Sequence, residues 1–263
     1  MNRKKTSIDF LPAALLLVTL CLSCHNKFQT RRPAGENSLP RTILWAWERP
    51  ENLEFLDPRR FGVAFLAQTL TLKGDGVVFR PRRQPLKVSP DTKLIAVTRI
   101  ESQKTTGGRP TLSGVQRERL VALILKTVEL GNVSEIQVDF DAVTSERVFY
   151  HSVLEDLREK LPEDMPLSMT ALASFCLGDR WLEDLPVVEA VPMIFRMGTD
   201  DRQIKNLLAN GKDFREPLCR RSYGIAVDEP LEMTFDKSRR LFLFNVRPWT
   251  EKDLASLQER IRQ

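Results

Sequence analysis

Residues 135–142 read Glu-Ile-Gln-Val-Asp-Phe-Asp-Ala, a strict alternation of polar and apolar side chains. Successive side chains of a strand point to opposite faces, so Ile136, Val138 and Phe140 share one face and Gln137, Asp139 and Asp141 the other. The apolar face needs a cover of helices. The polar face ends in two carboxylates that point the same way. Thr144 and Ser145 then offer a helix cap, and Tyr150, Val153, Leu154, Leu157 and Leu161 recur at helical spacing until Pro162 stops them. Acids at the carboxyl end of a strand, just before a helix, are how an α/β barrel presents its working groups.

The rest of the chain repeats this unit. Strands are expected over 43–48, 62–72, 93–101, 135–141, 167–174, 187–195, 223–227 and 241–246. Lys73-Gly74-Asp75-Gly76 is a hairpin turn, with 77–80 as its return arm. Ser113 and Gln116 stand at capping-box spacing before a helix that Gly131 ends. A short helix is expected around Trp181, Leu182 and Leu185, another after Asp200, and a last one from Thr250 through Leu254, Leu257 and Ile261. Eight strands, several separated by helices, predict an α/β fold, a (β/α)8 TIM-type barrel with irregular first, second and seventh crossovers. An open α/β sheet is the competing layout. No glycine-rich phosphate loop follows any strand, which leaves a dinucleotide fold without support.

The N-terminus reads as an export signal. Arg3, Lys4 and Lys5 precede a short apolar run that closes at Leu22-Ser23-Cys24. Residues 1–23 are the expected signal peptide, Cys24 the expected lipidation site, 24–41 a lipidated flexible tether, and 42–263 one barrel domain. An ordinary signal peptide cut nearby is the alternative. Ser23-Cys24 resembles the lipobox of bacterial lipoproteins, which implies a lipid anchor in the bacterial cell envelope. His25 after the cysteine, in that family's sorting rule, favours the outer membrane. The periplasmic or surface side stays open.

Removing the signal takes three basic and one acidic side chain, so the net charge falls from +5 to +3. No basic block with interleaved aromatics marks a nucleic-acid face, so no nucleic-acid partner is expected. Cys176 and Cys219 could form a disulfide in an oxidising compartment, although the strand layout sets them apart. With two histidines in the chain and no clustered cysteines, neither a metal nor a cofactor is expected.

The strand ends collect Glu48, Arg99, Glu101, Asp139, Asp141, Arg196, Asp228, Glu229 and Trp249. Tryptophan faces stack on sugar rings, and carboxylates and guanidinium groups hydrogen-bond hydroxyls, so a glycan or other polar ligand fits this ring. A glycosidase needs two carboxyl groups roughly 5 to 9.5 Å apart. Asp139, Asp141 and Glu101 are the candidate catalytic residues. Arg99, Arg196, Asp228, Glu229, Trp249 and Glu48 are the candidate substrate-binding residues. The competing reading is a non-catalytic barrel that binds carbohydrate or protein, its acids and arginines neutralising each other in ion pairs. Trp45 and Trp47 have opposite parity to Glu48 and read as core, with Trp249 the better pocket wall. Ser174 has no histidine beside it, and His151 falls on a helix surface.

Val138-Asp139-Phe140-Asp141 resembles the D-x-D-x-E run at the fourth strand of family 18 chitinase-like barrels. The family's acid is the glutamate, whose position falls here on Val143. Trp249, after the eighth strand, is where those barrels place a tryptophan under the sugar. The mature chain also resembles an uncharacterised family of exported bacterial proteins, through Gln137 to Asp141, Thr170 to Ser174, Val191 to Gly198 and Asp228-Glu229-Pro230. That second resemblance implies no activity.

Overall fold

The computed structural model describes residues 39–105, 107–178, 180–229 and 231–255. The signal peptide, Cys24 and the tether up to residue 38 lie outside the described residues, as do Pro230 and the last helix beyond residue 255.

The strands are β1 (Thr42–Ala46), β2 (Glu51–Asn52), β3 (Phe61–Lys73), β4 (Gly76–Pro81), β5 (Leu86–Lys87), β6 (Leu94–Ser102), β7 (Val133–Asp139), β8 (Leu167–Leu172), β9 (Ala190–Met193), β10 (Ser222–Ala226) and β11 (Arg240–Phe244). The α-helices are α1 (Gly114–Leu125), α2 (Arg147–Lys160) and α3 (Asp201–Ala209). Eight strands pair in parallel in the order β1, β3, β6, β7, β8, β9, β10, β11, and β11 pairs back onto β1. The sheet therefore closes, and the open-sheet layout is excluded.

The irregular crossovers fall where the sequence lacks helical periodicity. Between β1 and β3 the chain lays β2 in parallel against β5. Between β3 and β6 it turns through Gly74 and returns as β4, antiparallel to β3 from Gln68–Pro81 to Lys73–Gly76. Gln116 ties α1 to this hairpin, since its Nε2 donates to the carbonyls of Gly74 and Gly76. Two local expectations fail. The strand expected to run to Ser174 stops at Leu172, and no α-helix forms around Trp181. Instead Ala173–Leu177 makes a 3-10 turn that buries Phe175 and Cys176, and Trp181 packs edge-on against Phe175 at 5.1 Å. Cys176 is bonded to Cys219, with Cα atoms 5.9 Å apart. The turn brings together two cysteines that a longer strand would have kept apart. The cap before α2 is also displaced: the Val143 backbone N–H donates to Glu146 Oε2 at 2.9 Å, in place of a cap by Thr144 or Ser145.

Two cores follow from strand alternation. Outside the barrel, Ile136, Val138 and Phe140 pack with Tyr150, Val153 and Leu157 of α2. Inside it, Ile43, Trp45, Ala64, Ile95, Val97, Val191 and Phe242 form a second cluster, so the barrel is filled and is not a pore. Gly224 makes room for it: a Cβ there would sit 2.8 Å from the Pro192 carbonyl and 3.3 Å from the Trp45 ring.

The inward face of β7 is polar throughout, with Glu135, Gln137 and Asp139 all buried. Such groups are costly unless bonded. Trp45 Nε1 donates to Gln137 Oε1 at 3.3 Å, Gln137 Nε2 to Ser168 Oγ at 3.2 Å, and Ser168 Oγ to Glu135. Glu189 beside them is paired with Arg240. Burial, then repulsion from Glu189, pushes the Glu135 carboxyl up to about 7.

Candidate functional site

At the carboxyl end of the barrel strands a cavity of about 160 Å³ opens above this polar column. Four of its ten lining residues are aromatic. Trp45 and Trp47 come from the end of β1, Phe195 follows β9, and Phe244 ends β11. Phe195 and Phe244 stack at 5.3 Å with planes 7° apart. Trp45 meets both edge-on, at 6.3 and 6.5 Å, and Trp47 meets Phe244 at 6.3 Å. Arg82, in the loop after β4, holds the end of β1: its guanidinium donates to the carbonyls of Ala46, Trp47 and Arg49 at 3.3, 2.5 and 2.6 Å.

One wall carries the acids. Asp139 ends β7 at 8% exposure, and Thr170 of β8 donates to its Oδ1 at 2.7 Å. Burial and then Asp141 push the Asp139 carboxyl up to about 6, against the Thr170 hydrogen bond and the charge of Arg99. Asp141 lies at the exposed rim, two residues on, and is also raised, chiefly by desolvation. A carboxyl that titrates near 6 can hold a proton close to neutral pH and release it, as a general acid requires.

Arginines frame the opening. Arg99 pairs with Glu101 at 3.1 Å and lies over the Trp47 ring at 5.4 Å. Arg196 pairs with Asp228 at 3.0 Å and lies over Phe244 at 5.2 Å and Phe195 at 5.9 Å. Its backbone is left-handed, with φ at 50°, and its N–H donates to Glu229 Oε2 at 3.1 Å. A non-glycine residue in that region costs about 1 kcal/mol or more, here met by an acid on each side of the guanidinium.

The structure puts Asp139, Asp141 and Arg99 in the cavity lining; Glu101 stands outside it, paired with Arg99, and Arg196 lies over the lining rings Phe195 and Phe244 with Asp228 and Glu229 beside it. It does not bring Trp249 or Glu48 into the cavity lining. Trp249 is buried in the outer core, where its indole N–H donates to the Trp45 carbonyl at 3.0 Å and its backbone N–H to Glu51. Glu48 points to Arg80 at 3.1 Å. The walls expected from Trp249 are supplied by Trp45 and Trp47, whose parity is that of the inward-facing Ile43. Phe195, Phe244 and Thr170 also line the cavity, and each reads in the sequence as an ordinary strand residue. Phe195 next to Arg196 at a strand end was the available signal. Among the described residues, no group of three or more His, Cys, Asp or Glu side chains converges as a metal site would need.

Solved structures with similar backbones include a family GH18 chitinase from Chromobacterium violaceum, at TM-score 0.47 and 11% identity over 80% of this chain and 81% of that one. The chitinase domain of the spore coat protein CotE from Clostridium difficile aligns at TM-score 0.41 and 12% identity, over 78% of this chain and 64% of that one. No family model and no curated protein matches the chain. The resemblance to an exported bacterial family therefore has no support from these comparisons. The barrel rests on the chain's own strand pairings.

A wider hollow of about 600 Å³ opens among the loops that precede β1, β3 and β6, beside Asp57, Asp91 and Lys93. It has no aromatic wall.

Proposed function

We propose that this chain is a glycoside-hydrolase-like barrel that takes a sugar residue of an envelope glycan into its mouth and cleaves the adjoining bond. Its expected carrier to the bacterial cell envelope is a lipid on Cys24. The observation behind this reading is the joining, in one cavity of about 160 Å³, of four aromatic rings with Asp139 and Asp141. Rings offer stacking faces to the apolar side of a sugar, and the carboxylates accept from its hydroxyls. In this scheme one of Asp139, Asp141 and Glu101 donates the proton to the leaving oxygen and another is the second carboxyl.

One observation favours a second reading, binding without cleavage. Val143 stands where the chitinase-like motif has its glutamate, and it is 48% exposed and apolar. Envelope polysaccharide incubated with the mature protein separates the two. New reducing ends that disappear in Asp139→Asn and Asp141→Asn support hydrolysis. Binding with no turnover in the wild type leaves the second reading, and neither binding nor turnover removes both. For the anchor, Cys24→Ser should release the protein from membranes, and retention there would refute the lipid.

A further inference from the structure

We propose that the sugar residue held at this mouth carries a free, protonated amine, in place of a hydroxyl or an acylated nitrogen. This rests on the reading of the cavity as a glycan site.

The arginines at the opening are already matched. Arg99 is paired with Glu101, and Arg196 with Asp228 at 3.0 Å and Glu229 at 3.9 Å. Lys205 is held by Asp201 at 2.8 Å. Asp139 and Asp141 line the cavity itself, and among the described residues neither has a cation within ion-pair distance. Asp139 receives one side-chain hydrogen bond, from Thr170 to Oδ1, although the residue is more than nine-tenths buried. Its Oδ2 has no hydrogen-bond partner among the described residues. The groups facing it do not offset its charge: Asp141 and Glu101 repel it, Arg99 attracts it from β6, and the Tyr150 hydroxyl behind it is turned to the Val138 carbonyl. Arg99, and after it Lys104, attract Asp141 from beyond ion-pair distance.

Two carboxyl groups that line a cavity with few donors around them, Asp139 inside and Asp141 at its rim, are matched by a cation with several N–H groups. An ammonium has three. A hydroxyl has one, and an acyl group adds a carbonyl oxygen that two carboxylates repel. The walls act in the same direction, because aromatic faces attract cations. Arginines already lie over Trp47, Phe195 and Phe244, whereas none lies over Trp45 among the described residues.

The test uses the methyl glycosides of glucosamine, N-acetylglucosamine and glucose, which share a ring and differ at one substituent. Each is titrated into the mature protein at pH 6.5, with the tryptophan indole N–H signals followed by NMR. The amine glycoside should bind at least tenfold more tightly than the other two. Its advantage should shrink as ionic strength rises, since salt screens the ammonium–carboxylate attraction. In Asp139→Asn/Asp141→Asn the three should bind alike; should that variant not fold, the salt series on the wild type decides alone. Equal binding of the three by the wild type overturns the amine and leaves the glycan reading standing. Absence of binding by all three, together with none to envelope polysaccharide, overturns the glycan reading as well.

Discussion

The Thr170 hydroxyl donates to Asp139 Oδ1 at 2.7 Å and so joins two neighbouring barrel strands at the mouth. This bond favours the charged carboxylate and works against the burial that raises the group to about 6. Thr170→Val should therefore push the Asp139 carboxyl higher still. A hydrogen bond to a charged group contributes about 1.5–3 kcal/mol, which caps the rise at about one to two pH units. Carboxyl carbon NMR would read it directly, and where Asp139 serves as the proton donor the alkaline side of the pH–rate profile should move the same way. An unchanged titration would show that the hydroxyl does not bear on the charge.

Glu135 gives the barrel floor a pH dependence of definite sign. Its folded carboxyl titrates near 7, above the ordinary value for an unfolded glutamate. The native state then binds more protons than the unfolded chain between those two values, so stability falls as pH rises through that window. Asp139, raised to about 6, contributes in the same direction. Glu135→Gln keeps an acceptor for Ser168 and removes the charge. It should leave stability at pH 4 nearly unchanged and raise it at pH 8 by roughly 1–3 kcal/mol, as urea unfolding would measure. Equal effects at both pH values would contradict the assignment.

Gly224 is the close contact that seats Trp45. A Cβ there meets the Pro192 carbonyl at 2.8 Å, which cannot swing away, and the Trp45 ring at 3.3 Å. Gly224→Ala should cost about 1–3 kcal/mol, the usual range for overpacking. It should also shift the Trp45 indole signal and weaken binding at the mouth. Normal stability with an undisturbed indole signal would mean the backbone yields more easily than its contacts imply.

The Cys176–Cys219 bond closes a loop between positions 43 apart in sequence. Replacing both cysteines with alanine should lower stability by about 2–4 kcal/mol. Reductant should lower the wild type similarly and leave the variant unaffected. Because Phe175 and Trp181 pack beside this bond, the near-ultraviolet signal should change as well.

The barrel and its polar column were legible because alternation is a local property. In 135–141 every second side chain is polar, and a strand puts those on one face whatever surrounds it. The hairpin at Gly74 and the helices of 114–125 and 147–160 were legible for the same reason, from turn and capping chemistry within a few residues. The end of β8 was not: Leu172 to Ser174 look extended in the sequence, whereas the chain turns at Ala173 and sets Cys176 against Cys219, 43 positions away.

The sequence by itself determined the fold class, the inward face of β7 and the gathering of acids and arginines at strand ends. Tertiary structure alone decided which tryptophans face the cavity. Trp45 and Trp47 line it and Trp249 lies in the outer core, because sheet closure turns the β1 parity inward while the loop after β11 folds back over the barrel wall. It also decided that Arg99 and Arg196 would be spent on Glu101, Asp228 and Glu229, leaving Asp139 and Asp141 without a cation at ion-pair distance among the described residues. Alternation assigns a side chain to a face; only contact between distant strands determines which partner it meets there.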